Sequence, residues 1–162
     1  MSIYGTLAAS KTYHTERGNT AWADGADADL TIALQRGTEF IDHRFIFSGF
    51  KVDGRDQVRE WHRFDVIDRE GFGVSALTVP VEIENATYEA ALRELASAGS
   101  LTPDVNLTKQ VKRQKVEGAV EVEFTGALGV EAQMPIITII NGILAPIMRG
   151  VLSNLSGSTK RV

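Results

Sequence analysis

Apolar positions recur at three- and four-residue spacing in several stretches of this chain, and that periodicity predicts a small set of helices. The central one runs from Val79 to Gly99. Ile83, Ala86, Thr87, Ala90 and Ala91 share one of its faces, and Val81, Tyr88, Leu92 and Leu95 share a second. Pro80 suits the first turn, Glu82 and Glu84 lie near the positive helix end, Arg93 lies towards the negative end, and Gly99 is a natural C′ residue. A helix that is apolar on two sides is covered by other helices, so this one is read as the centre of a small bundle. Thr6 can cap an earlier helix that stops at Gly18, and Trp22 in the following connection is read as a core plug. Leu30, Ala33, Leu34, Gly37 and Ile41 mark a second helix, capped by Asp24 or Asp27 and ending near Arg44. Gly37 costs a helix interior up to about 1 kcal/mol relative to Ala. That cost makes sense if a neighbour approaches closely there, and the Ala-rich face of the central helix is the expected one.

Between Ile46 and Thr78 the pattern weakens. Gly49, Gly54, Gly71 and Gly73 punctuate it, and Val58, Trp61, Phe64 and Ile67 are predicted to face a core along short helical turns. A connection of this length is expected to dock on a neighbour. Further on, Val120 to Phe124 alternates as a half-buried strand does, and Glu117-Gly118 sits between two such runs, so a β-hairpin is predicted. Lys112 and Lys115 on one strand oppose Glu121 and Glu123 on the other, which suits pairing within the hairpin or, in a ring of copies, between subunits. Pro135 to Leu155 is apolar nearly all round, although Gly142 and Pro146 make it a poor independent helix. So greasy a segment must be buried, whether in its own domain or in another chain, and the expectation here is that other polypeptides cover it. A short polar tail ending in Lys160-Arg161 follows. The fold expected is mainly α: a small helical bundle with a β-hairpin and an extended or helical C-terminal arm. Its expected divisions are a core at 1–108 (helices near 6–17, 26–44 and 80–98), a hairpin at 109–126 and an arm at 127–162.

Composition narrows the chemistry. The chain has 162 residues, enough to bury a core as one domain, and a formal net charge of -4, which argues against general nucleic-acid affinity. It has no cysteine, so disulfides, thiolate metal sites and cysteine nucleophiles are excluded. No apolar run reaches the roughly twenty residues of a membrane span, and the chain is expected to be soluble. His14, His43 and His62 lack metal-ligand spacing and are read as surface or interface polar groups. Gly71-Phe72-Gly73 lacks the remaining glycine and the preceding strand of a phosphate-cradling loop. No catalytic residue, metal or cofactor is expected.

Tyr13-His14-Thr15-Glu16-Arg17-Gly18-Asn19-Thr20-Ala21-Trp22 resembles the Y-x-x-x-R-G-N-x-x-W opening of a tailed-bacteriophage family. Ala33-Leu34-Gln35-Arg36-Gly37-Thr38-Glu39-Phe40-Ile41-Asp42 resembles its second helix, and Val79-Pro80 with Ala86-Thr87, Ala90 and Leu92 its third. Leu101-Thr102-Pro103-Asp104 and Val111 to Gly118 resemble the stretch after it. The family is that of head–tail adaptor, or head completion, proteins of long-tailed phages, often labelled DnaT-like single-stranded DNA-binding. The chain departs from the pattern at Trp61-His62-Arg63, where Trp-Pro-Arg is usual, and at Gly37, where alanine is usual.

The resemblance implies a virion protein forming a homo-oligomeric, commonly dodecameric ring beneath the portal protein. Such a ring extends the channel for genomic duplex DNA without specific binding and receives the stopper or tail-terminator protein. Portal contacts would then come from Ile136, Ile137, Ile139, Ile140, Ile143, Leu144 and Ile147, with Lys160 and Arg161 as rim charges. Subunit contacts would involve Lys112, Lys115, Glu121 and Glu123. The alternative is a single-stranded DNA-binding module, in which Lys109, Lys112, Arg113 and Lys115 meet phosphates beside Phe124 or Trp61 as a stacking ring.

Overall fold

The computed structural model describes residues 2–104, 113–114, 122–123 and 136–148. The chain forms α1 (Leu7–Glu16), α2 (Thr20–Ala23), α3 (Asp27–Arg44), β1 (Phe50–Lys51), β2 (Arg63–Phe64), α4 (Val81–Ala96), β3 (Arg113–Gln114), β4 (Val122–Glu123) and α5 (Thr138–Leu144), with a 3-10 turn at Gly54–Asp56. It is mainly α, as the periodicity predicts, with one antiparallel pair (β3–β4) inside the predicted hairpin and a second (β1–β2) that the pattern does not predict. No helix among the described residues is long and apolar enough to cross a membrane.

Helix α4 is the hub. It pairs along its length with α3, and α1 and α5 pack on its other sides. The α3–α4 contact depends on Gly37, where a Cβ would lie 2.8 Å from the Thr87 carbonyl oxygen and 3.0 Å from the Ala91 nitrogen. Alanines at 86, 90 and 91 keep the opposing face low enough for this approach, and all are fully buried. At the N-terminus the Thr6 hydroxyl accepts from the Ala9 N–H, capping α1 as predicted. Helix α3 begins at Asp27, but its N-cap is Ala26 and no side chain caps it, so neither aspartate plays the predicted role.

Two apolar clusters fill the interior. One gathers Tyr13, Trp22, Leu30, Leu34, Tyr88 and Ala91 where α1, α2, α3 and α4 meet. Trp22 is fully buried there and its indole N–H donates to the Ser10 hydroxyl, as expected of a core plug. The other gathers Phe40, Phe47, Trp61, Val66, Ile83, Ile140, Leu144 and Ile147. This second cluster corrects the reading of the C-terminal segment. Ile140, Leu144 and Ile147 lie in the chain's own core against α4 and the 46–78 segment, so they need no cover from another polypeptide. Phe47 and Met148 form a β-bridge, and the Arg69 N–H donates to the Pro146 carbonyl, which fastens the segment after α5 to the same core. Ile137 and Ile143 are partly buried beside it, while Ile136 and Ile139 are exposed.

His14 is also placed differently from the expectation of a surface group. It is fully buried, its Nε2 lies 3.1 Å from the Tyr88 carbonyl and its Nδ1 3.0 Å from the Asn19 side-chain nitrogen. A neutral ring protonated on Nε2 satisfies both, donating to the carbonyl and accepting from the amide. Burial lowers its pKa from the ordinary value, and Arg17 adds to that, against the opposing pull of the Tyr88 carbonyl and Glu89.

Two outcomes follow from this packing. Gly37→Ala should destabilise the fold by roughly 1–3 kcal/mol through overpacking, despite the better helix former, as read by urea unfolding. An unchanged midpoint would contradict the close approach. Because the folded-state pKa of His14 is depressed, the unfolded chain takes up a proton that the folded chain refuses as pH falls below about 6.5. Stability should therefore decline as pH drops from above that value through the folded pKa. The melting temperature lost between about pH 7.5 and about pH 5.5 should be smaller in His14→Gln than in the parent chain.

Candidate nucleic-acid interface

The segment between α3 and α4 is a strand pair and turns rather than short helical turns. Strands β1 and β2 are antiparallel, with Phe50 opposite Phe64 and Lys51 opposite Arg63. The side chains then segregate against the usual rule, with a cation turned inward and two aromatic rings turned outward. Arg63 is buried, donating from Nε to the Ser48 carbonyl at 2.8 Å, from Nη2 to the Gly49 carbonyl at 2.9 Å and from Nη1 to the Glu60 carboxylate at 2.7 Å. Lys51, half-buried, pairs with Glu60 at 2.7 Å. Both cations are spent on the hairpin's own framework.

The other face carries Phe50, 64% exposed, and Phe64, 43% exposed. Their ring centroids are 5.6 Å apart and the planes meet at 32°. Gly49 fixes this arrangement. It adopts φ +69, and any Cβ on it would run into the Phe64 carbonyl and the Val66 side chain. Beyond β2, Asp65 has φ 55 and leads the chain into Val66, which is buried. The underside is thus anchored by Arg63, Trp61 and Val66 while the ring pair stays in solvent. Arg55, in the 3-10 turn between the strands, is exposed and has no ion pair among the described residues.

Two larger clefts suit a polyanion poorly. A cleft of about 450 Å³ is lined by Arg36, Glu39, His43 and Glu94 among others, and Glu94 there accepts from the Gly99 and Leu101 N–H groups. A second, about 490 Å³, holds Glu39, Asp42, Arg59 and Glu60. Arg59 is committed within it, donating to the Ser2 carbonyl at 2.9 Å and to Asp42 at 3.3 Å. Tyr4 also donates to Asp42, and burial raises its pKa far above the ordinary tyrosine value. Among the described residues no group of carboxylates and histidines could hold a metal ion.

The residues singled out from sequence fall as follows. Trp61 is 3% exposed and packs edge-on against Phe47, so it offers no surface to a base, and its place in the proposed stacking site is withdrawn. Val58, Phe64 and Ile67, predicted to face a core, are exposed. Lys109, Lys112, Lys115, Glu121, Phe124, Lys160 and Arg161 lie outside the described residues. Arg113 and Glu123 are cross-strand partners in β3–β4, which puts oppositely charged residue types opposite each other within the predicted hairpin. Of the isoleucine-rich set, Ile140, Leu144 and Ile147 converge in the core, and Ile136 and Ile139 remain outside. Sequence reasoning missed Phe50 entirely. The inverted polarity of Arg63 and Phe64 gives no alternating signal from which to find it.

The sequence model of a family described as "Putative DnaT-like ssDNA binding protein" matches residues 2–162. No curated protein and no solved structure matches the chain. The family match overturns the head–tail adaptor identification, because the family is described by single-stranded DNA and not by virion assembly. Nothing found supports the portal, the stopper or tail-terminator protein, the dodecameric ring or the passive duplex channel. The self-burial of Ile140, Leu144 and Ile147 removes the physical ground on which the adaptor reading stood.

If Arg63 is a framework residue, Arg63→Lys should lose the paired carbonyl contacts and destabilise the fold by roughly 1–3 kcal/mol in urea unfolding. A variant as stable as the parent would show that the inward cation does not hold the hairpin.

Proposed function

We propose that this chain, which belongs to the DnaT-like single-stranded-DNA-binding family, binds single-stranded DNA as a non-catalytic binding protein. The observation that carries the reading is the family match across residues 2–162. Two features of the chain suit it. The run Lys109, Lys112, Arg113 and Lys115 concentrates positive charge in a chain whose formal net charge is -4, so phosphate contacts would be local rather than spread over the surface. The described part of the molecule also keeps aromatic side chains in solvent, which a non-specific single-strand binder uses to stack bases of any identity.

An acidic whole with one basic run predicts modest affinity with a clear dependence on salt. Four phosphate contacts on a single strand correspond to a slope of about -3 in log affinity against log salt. Fluorescence anisotropy with a labelled thymidine oligonucleotide should show binding at low salt that weakens with about this slope. Replacing Lys109, Lys112, Arg113 and Lys115 together by alanine should flatten the slope and remove most of the affinity. No binding at low salt, or equal affinity for single strand and duplex, would overturn the reading.

A further inference from the structure

The Phe50–Phe64 ring pair makes a cross-strand contact between β1 and β2 and adds nothing to the apolar core. Phe50 and Phe64 are absent from both apolar clusters, and the strand pair is held from its other side by the buried Arg63 and by Trp61 and Val66 in the core. Two phenyl rings left in solvent on a short strand pair forgo the burial that normally stabilises such side chains. The local framework nevertheless constrains where they sit. Gly49 is required for the backbone to approach Phe64, and the Lys51–Glu60 and Arg63–Glu60 pairs brace the strands beneath. The outcome is an aromatic surface braced from beneath by these contacts.

We propose that the outer faces of Phe50 and Phe64 are a base-stacking platform for single-stranded DNA; this rests on the single-strand-binding reading above and names a site for it. The ring centroids are 5.6 Å apart and the planes are tilted by 32°, an offset contact in which each ring keeps an outer face turned away from its partner. A surface of that kind accepts a base through its π-face without hydrogen-bond readout and so without sequence preference. Duplex bases are already stacked on each other and cannot use it, which gives a preference for single strands. The cations nearest in sequence on the strands, Lys51 and Arg63, are occupied by Glu60, so the platform itself would engage bases. Arg55, exposed in the connecting turn, is the hairpin's available phosphate partner.

The test separates bases from phosphates. Anisotropy is measured for a thymidine oligonucleotide and for an abasic strand of the same length, which carries the same phosphates and no bases. The parent chain should favour the thymidine strand by about tenfold or more. Phe50→Ala with Phe64→Ala should bind both strands alike, at the parent's abasic level, with only a small drop in melting temperature from the lost cross-strand ring contact. Phe50→Tyr with Phe64→Tyr, which keeps the π-faces, should restore the preference. If the alanine variant retains the preference for bases, the platform is wrong while single-strand binding stands. If the parent chain binds neither strand at low salt, the functional reading fails and the platform fails with it.

Discussion

The contact between Gly37 on α3 and the Thr87–Ala91 stretch of α4 is the constraint on which the rest of the structure depends. With backbone atoms where a Cβ would need to be, the two longest helices approach until their small-residue faces touch. The side chains to either side of that contact then form the two apolar clusters. On one side Trp22 and Leu30 close the cluster with α1, and on the other Ile83 and Ala86 receive α5 and the 46–78 segment. The depth available for Ile140, Leu144 and Ile147 is set by how little Ala86 and Ala90 protrude. Within the described part of the C-terminal segment, Ile140, Leu144 and Ile147 are thus at rest inside their own chain.

The helical part of the fold was legible in the sequence because its determinants are local. Thr6 as a cap, Gly18 as a stop, Pro80 ahead of α4 and the spacing of Ile83, Ala86 and Ala90 are all signals within a turn or two of where they act. Gly37 was legible for the opposite reason, since a costly residue in a helix interior points to a partner. The strand pair was not legible. Its burial pattern is inverted, with Arg63 inside because it can donate to the Ser48 and Gly49 carbonyls and to Glu60, and Phe64 outside because its cross-strand partner is Phe50. Apart from Glu60, those partners lie fourteen or fifteen positions away in the chain, and no window of alternating polarity contains them.

The same limit explains the change of functional reading. The apolar C-terminal stretch argued for assembly only while its cover was unknown, and folding covers Ile140, Leu144 and Ile147 internally. Trp61 was one of two aromatics, with Phe124, offered as a stacking ring, yet it is locked edge-on to Phe47 in the core. The rings that do face solvent belong to residues the periodicity assigned elsewhere or left unmarked. His14 shows the converse: a histidine without metal-ligand spacing becomes a buried joint between α1, α2 and α4 through its two ring nitrogens.

The central claim is that single-stranded DNA meets the molecule on the outer face of β1–β2, and backbone amide chemical shifts under titration with a thymidine oligonucleotide test it most directly. The account predicts that the shifts that move cluster at Phe50–Val52 and Arg63–Phe64, with a second group in the 109–115 run, while the amides of α3 around Gly37 stay in place. Shifts confined to the helical faces, or a spectrum that does not respond at low salt, would contradict it.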